Sequence, residues 1–271
     1  MVRNPLQSSL LPPSTQGSPY LRVATYNIHK GVMGMGPAKR LEIHNLGLAI
    51  EAFDADVVCL QEVRRFHHRE ARRFSRTDYG HRSWPHQAQA DYLAPEGYEV
   101  AYRTNAVTRH GEHGNALLAR WPIGEIRHHD VSDHRFEQRG LLHATVHWHS
   151  TTIHVVVAHL GLFHQSRVRQ TERMAELVVK HIPADAPVII AGDFNDWNEQ
   201  LDPILIEAGL TRANRGDGER VPTFPSMVPV LTLDRVYTRG LTCHNMMVPR
   251  GQAWARMSDH LPLVVELELQ G

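Results

Sequence analysis

Short apolar runs recur along the chain, each rich in Val, Ile, Leu or Tyr and each bounded by Gly, Pro, Asp or Asn. Residues 21–27, 57–60, 98–103, 115–119, 141–148, 153–158, 188–191, 231–238 and 261–269 have this form and are predicted to be strands. A helical period replaces it in two places. Residues 39–53 put Leu41, Leu46, Leu48, Ile50 and Phe53 on one face, and residues 165–181 do the same with Val168, Met174, Leu177 and Val178. Pro183 and Pro187 end the second helix. The order is strand–helix–strand, a strand-rich middle, then strand–helix–strand again. That order predicts an α/β protein of two packed sheets covered by helices on both outer faces. Residues 64–97 are the least regular stretch and read as a long surface excursion with room for a helix.

Composition narrows the picture. The chain has 271 residues, 42% of them hydrophobic, enough for one large core. Lys+Arg and Asp+Glu are both 29, so the basic excess of an avid, sequence-blind nucleic-acid binder is missing. Cys59 and Cys243 lie in apolar segments and match no zinc spacing, which suits a reduced compartment. No run of about 18 apolar residues is present, so no membrane span is expected. The opening MVRNPLQSSLLPPSTQGSPY has no apolar signal core. Residues 1–20 are read as a disordered tail, residues 21–271 as one catalytic domain, and the location as cytoplasmic. Most of the 20 histidines fall in polar stretches such as FHHRE and IRHHD and read as surface residues.

Chemistry gathers where the apolar runs end. Asn27 closes one and Glu62 another. His159 ends a third, and Asp193 and Asn195 end the run VIIAGDFN. Asp234 stands inside a fourth, and Asp259-His260 precede the last. Each alone could be a turn, since Gly, Asp and Asn favour turns. Together they hold hard oxygen donors (Glu62, Asp193, Asp259, with Asn27 or Asn195), which suit Mg²⁺ or Mn²⁺ and not zinc. Two histidines and a partnering Asp suit proton transfer. The set reads as machinery for phosphoryl transfer to water.

The segments TYNIHKG, CLQEV, HGNALLAR, VVAHL, AGDFND, LDRVY and SDHLPLVVEL stand in the order found in the endonuclease/exonuclease/phosphatase superfamily, and the chain resembles its small stand-alone bacterial members. The superfamily includes DNase-like and exonuclease III-like nucleases, neutral sphingomyelinases and inositol-polyphosphate 5-phosphatases. The resemblance implies a four-layer α/β/β/α sandwich whose two sheets are mostly antiparallel. It also implies roles. Glu62 would be the main metal carboxylate, with Asn27 and Asp259 completing the shell. Asp193 and Asn195 would orient water or phosphate oxygens. His260 would pair with Asp234 as the base, and His159 would be a second catalytic or phosphate-binding histidine. Arg139 and Asn115 would meet the phosphate. No clear acidic partner for His159 is found in residues 98–114, where TNAVTRHGEHG offers Glu112.

The expected activity is Mg²⁺-dependent hydrolysis of phosphate esters, foremost as a phosphodiesterase or nuclease. The Arg-rich residues 64–82 could follow a nucleic-acid backbone. The alternatives are a phospholipid head-group phosphodiesterase of sphingomyelinase type and a small-molecule phosphatase. A non-catalytic binding protein is the third class, disfavoured because every expected polar position is filled. No obligate protein partner is expected. Specificity is assigned to the loops.

Overall fold

Strands that are apolar on both faces need cover on both faces, and the chain alternates strands with helices that supply it. The computed structural model describes residues 18–75, 83–134, 137–214 and 221–270. Residues 1–17, most of the expected tail, lie outside the described residues. β1 (Tyr20–Asn27) leads through β2 (Val32–Met33) and β3 (Arg40–Leu41) to α1 (Ile43–Phe53). β4 (Val57–His67), α2 (His68–Phe74), α3 (Gln89–Leu93), β5 (Glu99–Thr108) and β6 (Gly111–Ala119) follow. Next come β7 (Ile123–Asp130), β8 (Gly140–Trp148), β9 (Thr151–His159), α4 (His164–His181), β10 (Val188–Asp193) and α5 (Asp202–Glu207). β11 (Thr211–Arg212), β12 (Asp234–Arg239), β13 (Leu241–Met247), α6 (Gln252–Ala255) and β14 (Leu263–Leu269) complete the order.

The strands form two six-stranded sheets, β13-β14-β1-β4-β6-β5 and β11-β12-β10-β9-β8-β7. Each sheet has one parallel pair at its centre, crossed by a helix: β1 and β4 through α1, β9 and β10 through α4. All other pairs are antiparallel.

Alternation along the strands sorts the core into three layers. Val23, Cys59, Leu117, Val155, Val157, Ile189 and Val265 meet between the sheets. Their neighbours Ala24, Tyr26, Val58 and Leu60 face the other way, onto Ile43, Leu46, Ile50 and Phe53 of α1. Val156, Val188 and Ile190 pack on Met174, Leu177 and Val178 of α4. The two-sheet sandwich with outer helices is the expected fold, and no helix is long and apolar enough to cross a membrane.

The two-residue strands β2, β3 and β11 escaped the sequence pattern, and so did two longer ones, β7 and β13. Both are sheet edges, and their burial is too patchy to leave an apolar run. In the other direction, α1 starts at Ile43 because residues 40–41 pair in β3 instead. The strand expected from Leu231 begins at Asp234, since Leu231 is spent on a bridge to Phe224.

Candidate active site

The topology sends the polar strand ends to one edge. Asn27 pairs with Gln61 across the parallel β1–β4 pair, so Asn27 and Glu62 leave the first sheet together. His159 pairs with Asp193 in the same way in the second sheet. β12 runs antiparallel to β10 and starts at Asp234 opposite Asp193. β14 runs antiparallel to β1, with Thr25 opposite Leu263, so Asp259 and His260 stand just before its first residue at the same edge.

Local backbone aims these side chains. The β4–β6 register shifts between Leu60 and Val63, and Glu62 inside that bulge has φ 58°. The extra residue turns Glu62 out of the strand's alternation toward the site. At β10 the chains approach so closely that a Cβ on Gly192 would lie 1.9 Å from the Ala158 carbonyl oxygen, so only glycine fits. His29, Lys30 and Gly31 follow one another with positive φ. The buried Gln89 of α3 latches this strained loop: its Nε2 donates to the Lys30 carbonyl (2.9 Å) and its Oε1 accepts from the Arg64 amide (2.8 Å). Arg64 and Gln89, from the two ends of the stretch expected to be a surface excursion, therefore support the site.

Asp193 is the hub. Its Oδ2 accepts from Asn27 Nδ2 at 3.0 Å and lies 3.6 Å from both His159 Nε2 and His260 Nε2. Its Oδ1 accepts from the Asn195 amide at 2.9 Å. Burial raises the Asp193 pKa, and the neighbouring His260 pulls it back. His260 Nδ1 meets Asp234 Oδ2 at 2.8 Å. Burial alone would lower His260, but Asp234 and Asp193 outweigh it and push it up to about 10, an imidazolium at neutral pH. His159 goes the other way: burial and then the Arg139 charge hold it well below the usual histidine value, so it is neutral. The carboxylate His159 meets is Asp193, in place of the partner sought at Glu112.

Glu62 and Asp259 form a second group. Lys30 Nζ stands 3.0 Å from Glu62 Oε2, and His29 Nδ1 stands 3.1 Å from Asp259 Oδ1. Burial would raise Glu62, yet Lys30, His159 and His29 bring it down to about 2. Asp259 is lowered likewise, its burial outweighed by His29 and His260.

The other expected residues sit at the same edge with mixed duties. Asn195 Nδ2 donates to the Leu160 carbonyl (2.9 Å), tying the β9 exit to the β10 exit. Asn115 Nδ2 donates to the carbonyls of Gly140 (3.0 Å) and Val157 (3.1 Å) in the opposite sheet, while its buried Oδ1 has no hydrogen-bond partner. Arg139 Nη2 lies 3.5 Å from Glu137 Oε1, and its buried Nε has no hydrogen-bond partner.

Sequence reasoning passed over His29, Lys30 and Arg235 as functional residues. The signal for the first two was their place beside Asn27 in TYNIHKG. Arg235, next to Asp234, is fully buried and grips the 194–197 turn through Asp196, 2.9 Å to Oδ2 and 2.8 Å to its carbonyl.

The donors fit a hard divalent cation. Asp234 Oδ1 is buried without a hydrogen-bond partner. Ligand atoms of Asp193, Asp234 and His260 lie within 4.8 Å of one another. That trio already carries its own cation in the His260 imidazolium. Glu62 and Asp259 are balanced by side chains of a surface loop, which an ion can displace.

Residues 24–260 match the Endonuclease/Exonuclease/phosphatase family. The chain is 35% identical to the protein YbhP of Escherichia coli K12 over 264 residues, 96% of this chain and 100% of that one. Among solved structures it is similar to an endonuclease/exonuclease/phosphatase from Beutenbergia cavernae, with TM-score 0.73, 22% identity, and coverage of 93% of this chain and 72% of that chain. It is also similar to D. rerio TDP2 complexed with a single-strand DNA product, with TM-score 0.67, 18% identity, and coverage of 92% and 99%. These last two likenesses show the fold.

Proposed function

Since the chain belongs to the endonuclease/exonuclease/phosphatase family, whose members act on phosphate esters, we propose that it is a Mg²⁺-dependent hydrolase of phosphodiesters. The observation that carries this reading is the arrangement around Asp193. Two histidine Nε2 atoms lie 3.6 Å from one carboxylate oxygen, and their surroundings push them to opposite charge states. Titratable pairs pushed apart in this way divide acid and base roles.

Glu62 and Asp259, with Asn27 beside them, are the residues that would hold the cation, displacing Lys30 and His29. The bound cation would neutralise phosphate charge and so favour attack by water. Arg139 offers a planar cation to phosphate oxygens. Neutral His159 can accept a proton from water. His260, kept protonated by Asp234 and Asp193, presents positive charge and a donor proton to the leaving oxygen. This reverses the base role that sequence reasoning assigned to His260. Asn195 and Asp193 hold the β9 and β10 exits in register for these steps.

The test is the hydrolysis of bis(p-nitrophenyl) phosphate and p-nitrophenyl phosphate with Mg²⁺ and with chelator, on the native chain and on Glu62→Gln. Diester cleavage that stops with chelator and falls about a hundredfold or more in the variant is the expected result. Cleavage of the monoester alone would replace the diesterase by a phosphatase. Turnover that survives both treatments would refute the metal assignment.

A further inference from the structure

Twenty histidines are far more than the strand-end site uses, and three of the others stand side by side. His129 of β7, His143 of β8 and His154 of β9 run diagonally across three neighbouring strands. Arg127, opposite His143, is two residues before His129, and Thr145, opposite His154, is two residues after His143. Leu141 and Val156 share the strand parity of these histidines and belong to the layer packed on α4, so the row lies on the outer face of the second sheet. His159 has the parity of Val155 and Val157, which meet between the sheets. The row and the catalytic edge therefore use opposite faces of one sheet.

His143 is 4% exposed. Its Nε2 meets His154 Nδ1 at 2.9 Å, and its buried Nδ1 has no hydrogen-bond partner. A hydrogen bond between two imidazole nitrogens takes a proton from one and a lone pair from the other. If His154 donated, neutral His143 would carry its own proton on Nδ1, a buried N–H without an acceptor. With His143 donating, Nδ1 is a bare lone pair, the less costly orphan and one free to bind. A proton does not fill it at neutral pH: burial, then the His154, His129 and Arg127 charges, hold His143 down at about 4. His129 Nε2 is a second buried nitrogen without a partner. Burial and then Arg127 lower His129 as well. The two rings lie 5.6 Å apart between centroids, tilted by 31°. Two imidazoles sharing one tetrahedral ion, at the usual nitrogen distance of about 2.0 Å, put their ring centres roughly 5 Å apart. The Arg127 charge reaches all three histidines, but its guanidinium is turned to Glu125, Nε to Oε1 at 2.6 Å. Arg239, which acts on His154, donates to the Pro183 carbonyl at 2.6 Å.

We propose that His129 Nε2 and His143 Nδ1 bind a divalent transition-metal ion of the zinc class, with His154 holding His143 in the tautomer and orientation that ligation needs. Imidazole nitrogens suit such ions, whereas the oxygen donors at the strand ends suit Mg²⁺, so the two sites select different metals. Histidine ligands commonly donate their other ring N–H to an acceptor, which is the part His154 plays. The ion would clip the edge strand β7 to β8. His129 stands opposite Leu141, one pair before the hairpin ends at Asp130 and Gly140, and the connection beyond carries Arg139. A metal outside the hydrolytic site would thus brace the hairpin that presents Arg139.

The experiment is calorimetric titration of Zn²⁺ into the full chain in excess Mg²⁺, with imidazole nitrogen NMR on the native protein. The titration is repeated for His129→Gln, His143→Gln, His154→Gln and Glu62→Gln. Micromolar binding of one Zn²⁺ per chain is expected, with shifts of His129 Nε2 and His143 Nδ1 and a melting temperature higher than in Mg²⁺ alone. Affinity should fall about tenfold or more in each of the three histidine variants and stay unchanged in Glu62→Gln. His129 is half-buried on an edge strand, so its variant, with the NMR of the native chain, judges the site even if loss of the buried His143 impairs folding. No zinc binding in the micromolar range overturns the proposal, and so does affinity indifferent to His129→Gln. Zinc that leaves these two rings unshifted, or whose binding is lost in Glu62→Gln, overturns it as well.

Discussion

At Lys30 and His260 the same chemistry, a cation beside carboxylates, has two different consequences. The Lys30 ammonium occupies Glu62 through a partly exposed contact of 3.0 Å and competes with any metal for that carboxylate. Removing it in Lys30→Gln is expected to tighten Mn²⁺ binding about fivefold, read by titration calorimetry or by the free-ion resonance signal. The same variant is expected to raise KM for an aryl diester. His260 cannot be displaced, because Asp234 and Asp193 enclose it. Its pKa is raised from 6.5 to about 10, so the stability it contributes is complete below pH 6.5 and is lost as pH climbs through about 10. Asp234→Asn is expected to bring the His260 titration, followed by imidazole NMR, back toward ordinary histidine. It should also weaken the fold at neutral pH more than at pH 10.

At the level of elements, the outer face of β7, β8 and β9 carries a histidine ladder. His143 Nε2 meets His154 Nδ1 at 2.9 Å, and the His129 ring lies tilted against that of His143 at 5.6 Å between centroids. Burial, with His154, His129 and Arg127 around it, lowers His143 to about 4. Here the sign is opposite to that of His260. Below pH 6.5 the unfolded chain takes up the proton first, so stability falls between pH 6.5 and about 4, by on the order of 3 kcal/mol for this group. Urea unfolding across that range should show the decline, and His143→Gln should flatten it. This ladder also shows the limit of sequence reasoning. IRHHD was read as surface because it is polar, and there His128 is exposed and His129 half-buried, whereas His143 stands in the run LLHATVHW and is buried by its neighbours in the sheet. Central strands announce themselves because both their faces are buried: VVCL, VVVA and VIIA need no periodicity to be recognised. Edge strands such as β7 and β13 do not. The clustering of Asn27, Glu62, His159 and Asp193 was legible for a related reason: each is the first strongly polar break after such a run, or stands next to it. Lys30 was not legible, because its role depends on three successive left-handed residues that no propensity scale marks.

At the scale of the molecule, the site belongs to neither sheet alone. Asn27, Glu62, Asp259 and His260 come from the first sheet, and His159, Asp193, Asn195 and Asp234 from the second. Asn115 is the bolt between them, reaching from β6 to two carbonyls of the facing sheet. Asn115→Ala removes both hydrogen bonds that this side chain makes across the sheets. It is expected to lower the free energy of unfolding by about 1–3 kcal/mol, seen as a reduced urea midpoint, and to cut turnover by more than the stability loss explains.

The pairing of β14 with β1 has a consequence in time. Thr25 lies opposite Leu263, so one of the first strands to leave the ribosome waits for one of the last. Asp259 and His260 reach the reaction centre only when that late strand docks. Until then the growing chain carries a half-built site, without His260 and without Asp259. On the reading proposed above, the chain would have no complete hydrolytic site before that strand docks, and chemistry would begin with the closing of the first sheet.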